Sequence, residues 1–533
     1  MLLIGESGVG KSTWINAFAN YCSFESLEEA VKAGGRFPIP FTFTVTDPQT
    51  KQRITISSGG TLLAETQTTK HGESVTQNPQ EYSFRHVNTD TVIKLIDTPG
   101  LRDTSDAEAF THDSYKQHID NILKLLSAYQ EIHAIFILMK ANETRLRAAL
   151  KYTLAESFKR LDKSACNNVV FIFTNAGSSN FKTDKTQPIL HQFLTDKKLP
   201  IALPPDKPTI YCFENDTIKY IAECKNEMPH DEDDDEDAQR NWRRSVKITK
   251  ELLDYLFSLK PHSLVIMISI HEATVMVSMM SKLLLDTMMC IFKDMDEIES
   301  KKNEAELLMK EITRNPGENT QLEIYKINPL LRITETKLVH QPLGHTNVVC
   351  ESGRCAAVVE GHIVYPPDSG GIGIDSDEAL KQINKGISQF ENRVRECLDE
   401  TEQMIDICAK LNAFAQQNAL LWTSSTDDEL LKCLENQQET YARSHNTSRQ
   451  ANDLARIKSQ YERHLRKAKD GSYTVDDVPE LIQQLCDLPM KGHEIKQAVD
   501  EYEKSRRMVI EESKKSKQHY VVKRLSDKFA GLF

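Results

Sequence analysis

Eight residues near the start of the chain constrain its fold more than any other stretch. Gly5-Glu6-Ser7-Gly8-Val9-Gly10-Lys11-Ser12 fits the pattern GxxxxGK[ST], with an apolar run at Leu2 to Ile4 before it and a helical pattern at Thr13 to Ala19 after it. Strand, glycine-rich turn and helix in that order are the context this pattern needs to act as a phosphate loop. The glycines let the backbone wrap closely around a phosphate, and the N–H groups at the start of the helix point at it. Residues Gly5 to Thr13 are the expected cradle. Lys11 is expected to reach the β- and γ-phosphates, and Ser12 to give its hydroxyl oxygen to Mg²⁺.

A second element supports the first. Val92 to Ile96 reads as a strand and ends in Asp97-Thr98-Pro99-Gly100. An aspartate at a strand's carboxyl end can hold Mg²⁺, usually through water, and the Gly100 N–H can sense a γ-phosphate. Further apolar runs at His133 to Leu138, Val169 to Phe173 and Thr209 to Phe213 alternate with helical patterns near Ser114 to Leu126, Thr144 to Leu161 and Pro188 to Leu194. That alternation predicts an α/β fold, a P-loop NTPase doubly wound sheet over residues 1–260. Residues 52–58 and 81–86 read as extra strands toward one edge. The run Asp231 to Asp237 (DEDDDED) reads as a solvated acidic loop, because seven like charges repel, and a helix from Arg240 to Leu259 closes the domain.

The remainder predicts a mainly α-helical, coiled-coil-like region with a small β-rich insert. Residues 261–313 form a heptad helix whose seam runs Leu284, Met288, Ile291, Met295, Ile298, Lys302, Ala305, Met309 and Ile312. A second seam runs Ile383, Ile387, Phe390, Val394, Cys397, Thr401, Met404, Cys408 and Leu411 within the helical region 377–533. An antiparallel hairpin with the insert 314–376 at its tip and a parallel self-assembled coil both fit, as do ordinary bundle helices. The stretches Asp427 to Lys469 and Val478 to Lys528 read as charged helices. In the insert, Cys350, Cys355 and His362, with His340 and His345 nearby, suit zinc; the alternative is a small β insert with free thiols.

The succession GESGVGKST, SVT at Ser74 to Thr76, and IDTPG resembles the GTPase superclass that contains the septins. It is most similar to the immunity-associated GTPases and their plant avirulence-induced relatives. The resemblance covers residues 1–260. It implies GTP and GDP as ligands with Mg²⁺, Thr76 as the switch threonine over the metal, and dimerisation through the nucleotide domain, with the coiled coil as a further route. Thr44 and Thr46 in FTFTVT are rivals to Thr76. The catalytic reading rests on Lys11, Thr76 and Gly100; the metal reading rests on Ser12, Thr76 and Asp97. Base recognition departs from the usual [NT]KxD, because Thr174-Asn175-Ala176-Gly177 lacks the Lys and the Asp. Asn175 can still meet guanine, Asn215 resembles the Asn of the last nucleotide loop, and Glu214 can supply the missing carboxylate. Adenine is the alternative base. Leu101 follows Gly100 where many small GTPases have a water-orienting Gln, so hydrolysis is expected to be slow.

Composition narrows the function classes. Asp plus Glu number 78 against 66 Lys plus Arg, a net charge of −12, which argues against a nucleic-acid binder. Eleven cysteines, scattered and odd in number, read as reduced thiols in a cytoplasmic protein. The apolar stretch Leu264 to Phe292 is interrupted by His271, Glu272, Lys282 and Asp286, so it does not read as a membrane span. A peripheral membrane contact through the basic residues near the C-terminus is a minor reading. Two functions follow: a slow, dimerisation-linked GTPase switch, or a nucleotide-binding scaffold with negligible turnover. Met1 lies only four residues before Gly5, so the first strand is expected to be short and the sequence to be a fragment.

Overall fold

The computed structural model describes residues 1–46, 51–58, 79–86, 91–98, 112–142, 151, 154–155, 157–159, 161–183, 186–201, 209–314, 321–322, 332–340, 356–364, 374–421, 430–431, 434–436, 448–515 and 518–522. They fall into two compact units. The first comprises Met1–His271, Gln416–Thr423 and Asp500–Phe533; the second comprises Glu272–Ala415 and Ser424–Val499.

The first unit is built on strand β1 (Leu2–Ile4), which leads directly into helix α1 (Lys11–Tyr21). Next in the chain come α2 (Leu27–Lys32), β2 (Phe41–Thr46), β3 (Arg53–Ser58), β4 (Gln80–His86), β5 (Val92–Asp97) and α3 (His112–Leu126). They are followed by β6 (Glu131–Ile132), β7 (Ile135–Lys140), β8 (Val169–Thr174), α4 (Gln187–Asp196), β9 (Ile210–Cys212), α5 (Thr217–Lys225), α6 (Glu232–Ser258) and β10 (His262–Ser263). Strands β5, β1, β7, β8 and β9 are parallel neighbours, and β4 joins β5 antiparallel.

Alternation along these strands explains why helices cover both faces. Successive side chains point to opposite sides of a sheet. Ile4, Ile135, Ile137, Val169 and Phe171 enter one core with α3, whereas Leu3, Phe136, Leu138, Val170 and Ile172 enter the other with α1, α5 and α6. Every residue of β8 is buried, as a central parallel strand requires. The α/β P-loop fold expected from the sequence is therefore the fold present.

Three local expectations change. Residues 53–58 pair with β2 in a separate two-stranded ribbon and not with the main sheet. The acidic run is not a loop but the first turns of α6. Asp231 caps it, accepting from the Asp234 N–H at 2.8 Å, and Glu232 to Asp235 lie in the first turn. Carboxylates there face the positive end of the helix dipole, which offsets their mutual repulsion. The third change concerns the C-terminus, described below.

Helix α7 (Val265–Arg314) begins in the first unit and runs into the second. There the chain forms short β11 (Gln321–Leu322), β12 (Arg332–His340), β13 (Ala356–Val364) and β14 (Ile374–Asp375). β11 pairs antiparallel with β14 and β12 with β13, so the insert is a ribbon between α7 and α8 (Ser376–Asn418). Lys302 on α7 pairs with Glu391 on α8. The seam residues Leu284, Met288, Ile291, Ile298, Ile387, Phe390, Val394, Met404, Cys408 and Leu411 are buried, while Met295 is 36% exposed. α8 also meets α9 (Ser448–Lys469): the Asn412 amide donates to the Tyr461 hydroxyl at 3.0 Å, and His464 lies 2.8 Å from Asp406. α8 thus packs against both α7 and α9. α7 is the described helix long and apolar enough to cross a membrane, and 53% of its apolar window is buried, as in a core helix.

α10 (Asp477–Cys486) and α11 (Gly492–Lys515) follow, and β15 (Gln518–Val522) ends the described chain. The sequence reads as helix to Lys528; instead β15 returns to the first unit and adds a parallel strand to β4, giving the order β15-β4-β5-β1-β7-β8-β9. Hydrophobic pattern alone does not separate a short apolar strand from the end of a helix.

The packing yields a stability prediction. Phe136 is fully buried and edge-on to Trp14 at 5.4 Å. Phe136→Ala is expected to lower unfolding free energy by about 3–5 kcal/mol in urea titration; a loss below about 1 kcal/mol would contradict this account of the core.

Candidate functional site

The site lies at the carboxyl ends of the parallel strands, where such sheets place ligands. β1 delivers Gly5, which sits where a Cβ would come within 2.9 Å of the Leu138 carbonyl oxygen. Gly8 and Gly10 have φ of 73° and 95°, a left-handed conformation that favours glycine, and Gly10 forms the cap of α1. These angles fold residues 5–10 back over the start of α1, so its free N–H groups face into the loop.

Two threonine hydroxyls brace this loop. Thr174, fully buried at the end of β8, donates to the Val9 carbonyl at 2.6 Å. Thr98, just after β5, donates to the Leu3 carbonyl at 2.6 Å. The sequence reading missed both roles. A threonine closing an apolar strand was the available signal, but hydroxyls at strand ends are common.

Lys11 is buried, and its ammonium donates to the carbonyls of Gly5 at 2.9 Å and Glu6 at 3.1 Å. Burial pulls its pKa down to about 8, against the opposing pull of Asp97 and Glu6. Ser12 donates to Asp97 Oδ2 at 3.0 Å. Adjacent oxygens around Mg²⁺ at about 2.0–2.1 Å from the ion lie about 3 Å apart. Ser12 and Asp97 are hard oxygen ligands at that spacing, so this pair fits Mg²⁺.

On the opposite side, the loops after β8 and β9 meet. Asn175 is exposed with φ 54°. Glu214 spans the two loops: Oε2 accepts from the Gly177 N–H at 2.7 Å and Oε1 from the Asp216 N–H at 3.1 Å. A Cβ on Gly177 would lie 2.7 Å from Glu214 Oε2, so the missing side chain makes room for this carboxylate. Burial raises the Glu214 pKa, with those N–H bonds opposing. Asn215 is 4% exposed, and neither atom of its side-chain amide has a hydrogen-bond partner. The Tyr21 hydroxyl, from α1, donates to the Glu214 carbonyl at 2.8 Å and ties this loop to the phosphate-loop helix.

The structure therefore brings together Gly5 to Thr13, Asp97, Asn175, Glu214 and Asn215 at one end of the sheet. Thr44 and Thr46 lie exposed in β2, opposite Thr55 and Arg53. Thr76, Gly100, Leu101, His345, Cys350 and Cys355 lie outside the described residues. His340 and His362 are placed only as members of β12 and β13, opposite Ala356 and Thr334. Among the described residues, no group of His, Cys, Asp and Glu has the geometry to hold a metal ion by itself.

No protein-family model and no curated protein matches the chain. Among solved structures, Toc33 from Arabidopsis thaliana in complex with GDP and Mg²⁺ is 15% identical, covering 49% of this chain and 85% of its own, with a TM-score of 0.28. The same protein with Mg²⁺ and GMPPNP gives 14% identity over 49% and 85%, with a TM-score of 0.26. LeoA, a bacterial dynamin GTPase from ETEC, is 11% identical over 96% of this chain and 87% of its own, with a TM-score of 0.17. At such TM-scores these likenesses carry no argument, and the functional reading rests on the residues.

Lys11 generates two expectations. The unfolded lysine holds its proton to about 10.5, the folded one only to about 8. The cost of burying this charge is therefore present in full below pH 8 and disappears above 10.5. Phosphate binding needs the ammonium, so nucleotide affinity should be flat below pH 8 and fall about tenfold per unit above it. Lys11→Met should abolish nucleotide binding while leaving the thermal midpoint unchanged or raised, because an apolar isostere removes a buried charge. A pH-independent affinity, or a Lys11→Met chain that binds normally, contradicts the assignment.

Proposed function

We propose that this chain is a Mg²⁺-dependent guanine-nucleotide-binding protein with slow GTP hydrolysis, working as a switch linked to dimerisation. The observation that carries the guanine reading is the Glu214 carboxylate, which stands in the space left by Gly177, beside the buried, unpartnered amide of Asn215. Guanine offers two donors, N1–H and N2–H₂, to a carboxylate, and an acceptor, O6, to an amide N–H. Adenine offers no adjacent donor pair. Each Glu214 oxygen already accepts one backbone N–H, which aims the carboxylate and leaves a second lone pair on each oxygen.

At the phosphate end, the residues bind and orient. The backbone N–H groups of residues 5–13 hold the β-phosphate, and Lys11 turns from the Gly5 and Glu6 carbonyls to the phosphate oxygens. Ser12 and Asp97 would hold Mg²⁺, which would supply the charge that offsets the β- and γ-phosphates. Thr76 is the proposed switch threonine, and the Gly100 N–H the γ-phosphate sensor. Leu101 has no hydrogen-bonding group to orient water, so turnover stays slow until a second copy completes the site. The scaffold alternative keeps the same binding residues and has no turnover.

Competition binding tests the reading. Wild-type chain should prefer GTP to ATP by at least about 100-fold, and Glu214→Gln should lose about 2 kcal/mol of that preference because one lone-pair site becomes a donor. Asn215→Ala should weaken guanine binding by about tenfold. Equal affinity for GTP and ATP in the wild type contradicts the guanine assignment. Turnover per molecule that rises with protein concentration supports the switch; absence of turnover at every concentration supports the scaffold.

A further inference from the structure

The C-terminal segment returns to the first unit and meets α3, the helix that follows the Asp97 strand in the chain. At this contact the groups are polar. Lys124 of α3 is only 7% exposed; it pairs with Asp120 at 2.6 Å and donates to the Ser505 hydroxyl at 3.1 Å. Its ammonium also lies over the Tyr502 ring, 5.1 Å from the centroid. The other oxygen of Asp120 lies 3.1 Å from His271 Nε2, at the start of α7, and the His271 ring is 6.2 Å from Tyr502. Val509 adds a partly buried apolar contact to the core. Beyond it, β15 pairs with β4 in register from Gln518↔Tyr82 to Val522↔His86.

We propose that residues 500–515 and 518–522 form a releasable clasp on the nucleotide domain, closed on α3 by Tyr502 and Ser505 against the cost of burying Lys124. A permanent interface is built from apolar side chains, whose exposure to water costs free energy. Lys124 is the reverse: burying it is costly, and uncovering it returns the ammonium to water. Asp120 holds the charge in either state, because it is on the same helix four residues away. The covered state is therefore favoured by the ring, the hydroxyl and the strand pairing, and opposed by lysine desolvation, so the balance is small and reversible. β15 is an edge strand, and its departure breaks hydrogen bonds to β4 alone. Helices α7 and α11 each belong to both units along the chain. The lock therefore joins the helix after Asp97 to the two helices that continue into the helical unit. Coupling of the clasp to nucleotide state rests on the function proposed above.

Hydrogen–deuterium exchange on the full chain tests the clasp without any nucleotide. Tyr502→Ala should speed exchange of residues 518–522 by about tenfold, and Lys124→Met, which removes the desolvation cost, should slow it by about tenfold. Both variants should keep the protection of β7 and β8, which shows that the fold is intact. Lys124→Met speeding exchange as Tyr502→Ala does, or both leaving it unchanged, overturns the proposal. In a second arm, GDP and GMPPNP are added with Mg²⁺ while binding is followed by fluorescence in the same sample. A difference of about fivefold in protection of 518–522 between the two complexes supports coupling. Equal protection with both nucleotides bound overturns it. A chain that binds neither nucleotide sinks the proposed function instead, and the Tyr502 and Lys124 results still decide the clasp.

Discussion

The arrangement depends on how β1 is held at the middle of the sheet. Its three residues are too few to stiffen a glycine-rich loop by themselves. Parallel neighbours β5 and β7 fix the strand, and the hydroxyls of Thr98 and Thr174 bond the Leu3 and Val9 carbonyls at either end of the turn. With both ends tied, Gly8 and Gly10 can take left-handed angles and the N–H groups of α1 converge. The same two threonines close the β5 and β8 strands, from which the metal loop and a base loop depart. One set of contacts therefore aligns the proposed phosphate, metal and base subsites before any ligand arrives, which would lower the cost of binding.

On the proposed base side, two loops exchange a side chain's place. Where a side-chain carboxylate would ordinarily project from the loop after β8, this chain has Gly177, and Glu214 of the neighbouring loop reaches into that space. The exchange needs the two loops to be locked together, and the Gly177 and Asp216 N–H groups and the Tyr21 hydroxyl do so. A buried carboxylate is costly; here it is offset by two backbone N–H bonds and poised for further donors.

Much of this was legible in the sequence. Short apolar runs at 2–4, 92–96, 133–138 and 169–173, alternating with helical patterns, predict a doubly covered parallel sheet, and the glycine–lysine spacing predicts the loop. Asp97 and Ser12 were each assigned to Mg²⁺ from their own motifs, and they do lie side by side. Most of what escaped depends on partners distant in sequence. The bonds from Thr98 and Thr174 cross between strands, and β15 is distinguished from a helix end by its pairing with β4. The acidic run at 231–237 was misread because like-charge repulsion was weighed without the helix dipole that opposes it.

The central claim is that Glu214 and Asn215 read the base in a site whose phosphate loop is already formed. A crystal structure of the GDP–Mg²⁺ complex tests it most directly. The account predicts the Glu214 carboxylate in the plane of guanine, accepting from N1 and N2 above Gly177, with the Asn215 amide hydrogen-bonded to the base and Ser12 on the metal. A base seated away from Glu214, with the Asn215 amide still unpartnered, would contradict it.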